Sequence, residues 1–206
     1  MTGRRLGINA GVLVALVAAA AVRASAGGSG TAPGATTAGR PATTAPGTGL
    51  VAERRAAALA PCPTGISRDL PDIVLPCLGG GPDVRLRGPV PATPALVNVY
   101  GSWCGPCQEE MPVLVAFARL AGDRVRLVGI DDEDDPRQAL LFAHDLGQHW
   151  AAVRDDDKQV LPHYGGAPPV TLFLDATGHV VHVRRGPFRH LDELRAAVAR
   201  YLGVRV

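Results

Sequence analysis

Two cysteines set two residues apart constrain this chain more than anything else in it. They stand in Trp103-Cys104-Gly105-Pro106-Cys107, where an apolar run over residues 95–100 (ALVNVY) gives way to helical spacing. A short β-branched apolar run reads as a buried strand. Met111, Leu114, Val115 and Ala118 then recur as one face of a helix over residues 105–120. A strand running directly into a helix puts both thiols at a helix N-terminus. There, unpaired N–H groups and the helix dipole favour an anion. Thiols so placed have pKa values of ~3.5–7.5 rather than about 8.5. The thiolate is the nucleophile, which makes Cys104 the attacking residue. Cys107 follows one helical turn later and resolves the mixed disulfide. Pro106 stiffens the first turn. A zinc site is the other use of such a pair. It needs a second tight pair, whereas Cys62 and Cys77 are 15 positions apart and the six histidines form no cluster with them.

The remaining pattern predicts an α/β domain over residues 61–206. Strands are expected at 84–87, 125–130, 150–153, 170–174 (VTLFL) and 180–184. The last two flank Asp175-Ala176-Thr177-Gly178, a hairpin turn. Helices are expected at 137–146, 158–164 and 190–202. That order implies a central mixed sheet flanked by helices on both faces, with an antiparallel edge. Hydrophobic residues, 47% of the chain, supply a core. A net charge of +2 and 4% aromatic residues argue against nucleic-acid binding.

The first 60 residues are of another kind. Arg4 and Arg5 precede 17 uncharged, mostly apolar residues (6–22), and Ala24-Ser25-Ala26 has the form of a cleavage site. Residues 1–26 therefore read as a signal peptide or an N-terminal membrane anchor, either of which puts the rest of the chain outside the cytoplasm. No polar stripe supports a buried amphipathic helix instead. Over residues 27–49, 22 of 23 are Gly, Ala, Thr, Pro or Ser. Residues 27–60 are expected to be a flexible spacer, although 50–60 carry a partial helical pattern.

The segment VNVYGSWCGPCQEEMPVL resembles the active-site segment of the thioredoxin superfamily, and more narrowly the TlpA/ResA/CcmG-like extracytoplasmic thiol–disulfide oxidoreductases. A second segment, GGAPPVTLFLD (165–175), matches the family's cis-proline region. The resemblance spans roughly residues 70–205. It implies a thioredoxin-like fold, a TlpA-type helix-strand insert over residues 131–164, and a cis-proline at Pro169 facing Cys104 and Cys107. Trp103, Gly105, Pro106 and Pro168 are then active-site neighbours. Asn98 stands where cytoplasmic thioredoxins carry a buried Asp. Glu110, three residues after Cys107, matches the acidic residue of the ResA-like pocket, which implies that it handles the Cys107 proton. The bland alternative is a solvated helix glutamate, the reading taken for Glu109. Pro112 inside the helix is structural and should kink it. Outside the cytoplasm Cys62 and Cys77 are most simply a structural disulfide, with a second redox relay as the alternative.

Other polar residues read as bystanders. The acidic runs 131–135 and 155–157 lack a calcium-loop pattern and are expected in solvated loops, with Asp134-Asp135-Pro136 a helix start. His179 and His182 are expected on opposite sides of a strand, and Arg184 and Arg185 on the surface. The resemblance implies protein substrates with cysteine thiols or disulfides, reduced by dithiol–disulfide exchange. Apocytochrome c is one such client, and a membrane thiol reductase would be the electron donor. The chemistry calls for no cofactor and no metal. An oxidant that installs disulfides is one alternative. A copper-binding assembly factor, which Met111 would help, is another.

Overall fold

The computed structural model describes residues 48–206. The expectations for residues 1–26 and for most of the spacer lie outside the described residues. The spacer's end does not. A 3-10 turn (Thr48–Leu50) leads into helix α1 (Val51–Ala57), which packs on a later helix and buries Ala57. The folded unit therefore begins by residue 48 rather than at 61. The partial helical pattern forms because α1 is tied down: Arg54 Nε donates to the Leu78 carbonyl, and Glu53 pairs with Arg137.

A two-stranded antiparallel hairpin follows, β1 (Val74–Leu75) with β2 (Val84–Arg85). The main elements are β3 (Ala95–Tyr100), α2 (Gly105–Ala121), β4 (Arg126–Asp132), α3 (Pro136–Leu146), β5 (Ala152–Asp155), α4 (Leu161–Tyr164), β6 (Val170–Leu174), β7 (Val180–Arg185) and α5 (Leu191–Leu202). The five-stranded sheet has the order β5-β4-β3-β6-β7. Strands β3, β4 and β5 are parallel, and β6 and β7 are antiparallel additions beside β3. In this α/β, thioredoxin-like arrangement the expected insert is α3, β5 and α4, with β5 at the sheet edge.

Alternation along β3 divides the core. Leu96 and Tyr100 face Met111 and Leu114 of α2 and Leu194 and Val198 of α5. Ala95, Val97 and Val99 face the hairpin side, with Leu75, Val84 and Leu161. Tyr100 stacks on Phe142 of α3, which puts that helix on the α2 side. The long helices thus cover one face. The other carries the hairpin, its flanking loops and the single short helix α4.

Helix ends follow local chemistry. Asp135 caps α3, its Oδ1 accepting from the N–H groups of Arg137 and Gln138, and Pro136 opens the helix. Helix α2 runs through Pro112 and stops at Gly122, whose φ of 52° is left-handed. The Asp175–Gly178 turn closes as expected, with Asp175 Oδ1 accepting from Thr177 and His179 N–H groups.

Candidate active site

Between β3 and α2 the chain turns through Gly101, Ser102 and Trp103. The turn leaves no room at Gly101, where a Cβ would lie 2.6 Å from the Trp103 indole nitrogen. Asp134 holds the turn from the loop after β4. Its carboxylate accepts from Ser102 N (2.6 Å) and Ser102 Oγ (2.9 Å). Trp103 Nε1 donates to the carbonyls of Asp132 and Glu133, both at 3.1 Å. The indole is thereby fixed while remaining 53% exposed beside the cysteines.

Cys104 and Cys107 form a disulfide. Cys104 is the N-cap of α2, and the Cys107 N–H donates to its sulfur at 3.2 Å. Once reduced, this N–H and the helix N-terminus favour a thiolate at Cys104. Gly105 and Pro106 form the exposed first turn. The Pro168–Pro169 peptide bond is cis, and the Pro168 carbonyl oxygen lies 3.4 Å from Cys104 Sγ. Trp103, Cys104, Cys107, Pro168 and Pro169 therefore meet at one end of the sheet.

Glu110 is only 1% exposed. Its Oε2 accepts from Asn98 Nδ2 (3.0 Å) and its Oε1 from the Phe188 N–H (2.9 Å). Asn98 Nδ2 also donates to Thr171 Oγ1 at 3.0 Å. Burial dominates over these two donors and raises the Glu110 pKa to about 7. Cys107 is one helical turn away, so the two side chains are neighbours on α2. The solvated alternative describes Glu109 instead, which is exposed and pairs with Arg189.

Nothing in the sequence singles out Thr171 or the Phe188 N–H as partners of this site. Asn98 and Thr171 are register partners across β3 and β6, 73 residues apart, and no local pattern announces that. The acidic runs require a correction. Asp131, Asp132 and Asp155 are buried, not in solvated loops. Strand β4 continues through Asp132, and the turn after β5 folds back so that Asp155 accepts from the Gln159 and Val160 N–H groups. Arg184 also differs from its surface reading, being half-buried over the Phe188 ring and paired with Glu193. Met111 is a core residue. Among the described residues no three His, Cys, Asp or Glu side chains converge as a ligand set.

Cys62 and Cys77 form a second disulfide. Cys62 packs against the hairpin-side core, whereas Cys104 and Cys107 belong to the α2 side. The segment around Cys77 pairs along β5: Leu78 N donates to Ala152 O and Arg154 N to Pro76 O, both at 2.9 Å.

Comparison with known proteins agrees with this geometry. The Redoxin family model matches residues 67–199. The thiol:disulfide interchange protein DsbE of Allochromatium vinosum is 31% identical over 144 residues, 67% of this chain and 78% of that protein. A DsbE homologue of Paracoccus denitrificans is 34% identical over 113 residues, 50% of this chain and 61% of its own length. Among solved structures, dsbF of MTB is 26% identical with a TM-score of 0.55, over 63% of this chain and 95% of that one. The chain belongs to the Redoxin family and, within the thioredoxin superfamily, to the thiol:disulfide interchange proteins of the DsbE type.

Proposed function

We propose that this protein is an extracytoplasmic thiol–disulfide oxidoreductase that reduces disulfides of exported proteins through Cys104 and Cys107. The observation that carries this reading is the Cys104–Cys107 pair at the start of α2, opposite the Pro168–Pro169 bond and with Glu110 buried one turn below. In the reduced protein, Cys104 thiolate attacks one sulfur of the client disulfide. A mixed disulfide forms and one client thiolate leaves. Cys107 then gives up its proton and attacks Cys104 Sγ. The second client thiol is released, and the Cys104–Cys107 disulfide is formed. Two electrons have moved to the client, and an external dithiol must return them. With a pKa of about 7, Glu110 is suited to take the Cys107 proton at neutral pH. Asn98, being neutral, cannot.

Gly and Pro between the cysteines match thioredoxin, whose potential of about −270 mV marks a reductant. The export reading rests on residues 4–26. Among the described residues no helix is long and apolar enough to cross a membrane. A membrane thiol reductase as donor, and an apocytochrome c with haem-binding cysteines as client, are what the DsbE likeness implies. Cys62–Cys77 acts as a staple on the far side of the sheet. The test is reduction of a disulfide-bonded CxxCH peptide by the dithiol protein, followed by alkylation and mass spectrometry. Stoichiometric reduction, lost in Cys104→Ser and trapped as a mixed disulfide in Cys107→Ser, is expected. Oxidation of the dithiol peptide by the disulfide form, without the reverse, would overturn the direction.

A further inference from the structure

Beside the disulfide lies an open pocket of about 340 Å³, walled by Trp103, Leu161, Pro162 and Pro168, with Asp132 in its lining. It adjoins Cys104, because Trp103 precedes Cys104 and the Pro168 carbonyl oxygen is 3.4 Å from Cys104 Sγ. Asp132 is 1% exposed, and its Oδ1 has no hydrogen-bond partner. A buried carboxylate left short of donors is costly, so a donor that reaches Asp132 from the pocket gains on binding. The surrounding charges do not fill the need. Asp155, its register partner on β5, is a further carboxylate, already satisfied by the Gln159 and Val160 N–H groups. Lys158 stands at the rim but is paired with Glu133. Burial first, and the Asp155 charge second, raise Asp132 to about 6, which leaves it mostly ionised at neutral pH.

The walls set the rest of the chemistry. An indole face and prolines suit the aliphatic stem of a long side chain and can stack on a guanidinium. The lining also runs through Gly165, Gly166 and Ala167, which project nothing larger than a methyl group. Pro168 and Pro169 have no N–H, so this edge offers a client backbone no donor at those two positions. We propose that this is a specificity pocket that takes a basic side chain of the client, adjacent to the cysteine attacked by Cys104, with Asp132 as its acceptor. The inference rests on the exchange chemistry proposed above.

Three disulfide-bonded peptides that differ only in the residue flanking the target cysteine (Arg, Ala or Glu) test it. Their second-order rates of reduction by the full-length dithiol protein are compared. The Arg peptide should react about tenfold faster than the Glu peptide, in the range expected for charge complementarity at a partly buried contact. Asp132→Asn should compress that ratio to about twofold, chiefly by slowing the Arg peptide. Lys158→Asn removes the rim cation, keeps a residue suited to its left-handed backbone (φ 54°), and should widen the ratio. Equal rates for all three peptides with the unaltered protein would overturn the pocket assignment and leave the exchange chemistry standing. An unchanged Arg-to-Glu ratio in Asp132→Asn would do the same. No reaction with any peptide would remove the exchange reading and this inference together.

Discussion

Glu110 holds a carboxyl group where water barely reaches it, and two hydrogen-bond donors offset only part of the cost. Its ordinary pKa of 4.5 rises to about 7 in the folded protein, chiefly through burial. The folded state therefore binds more protons than the unfolded state between these two values. Stability of the disulfide form should fall as pH rises through that window and level off above it, by at most about 3 kcal/mol. Urea unfolding at pH 5 and pH 8 measures this, and Glu110→Gln should lose its own share of the fall, while Asp132, raised to about 6, keeps the rest. Identical pH profiles for the two proteins would refute the assignment. In the dithiol form the same substitution should shift the Cys107 titration and slow exchange by about tenfold or more, the range of a lost proton-transfer group. Unchanged thiol titration and rate would leave Glu110 a purely structural residue. The cysteines and Glu110 were legible because they sit at fixed offsets within one segment, and Pro168 and Pro169 within a second, both of which resemble the family's. The donors to Glu110 were not. Phe188 N–H is 78 residues away and arrives only when the chain turns toward α5.

At the scale of elements, the loop before α2 and the loop after β4 hold each other. Ser102 and Trp103 both bond to the segment Asp132–Asp134. Gly101→Ala forces its new methyl against the indole, 2.6 Å from Nε1. It should shift Trp103 fluorescence and slow thiol exchange while the helices stay folded by circular dichroism. Unaltered fluorescence and rate would show that the indole position is set elsewhere. The acidic run shows why loops are harder to read than helices. Asp135 followed by Pro136 is a local helix start and was legible. Asp131 and Asp132 are buried because β4 pairs with β5 through Asp132↔Asp155, a pairing that the charges themselves argue against. Helix α1 was half-legible for a similar reason: its seven residues hold only through contacts with α3 and Leu78.

For the molecule as a whole, the order of strands and helices along the chain and the antiparallel edge followed from the apolar runs, and the spatial order of the strands and the division of labour between the two faces did not. The Cys62–Cys77 bond closes a loop of 15 residues, and the segment around Cys77 covers the edge of β5. Replacing both by serine should cost about 3 kcal/mol in urea unfolding by the chain-entropy estimate. Exchange at Cys104–Cys107 should stay within about twofold, because a loop constraint acts through the unfolded chain. A collapse of exchange with stability intact would instead make the second pair a relay. The central claim is that Cys104–Cys107 is a reducing dithiol, and its reduction potential is the most direct measurement. Equilibration of the protein against glutathione and dithiothreitol, with alkylation and mass spectrometry, reports each pair separately. A potential near or below about −270 mV is the expected result, and one near about −120 mV would make the protein a disulfide donor and contradict the account.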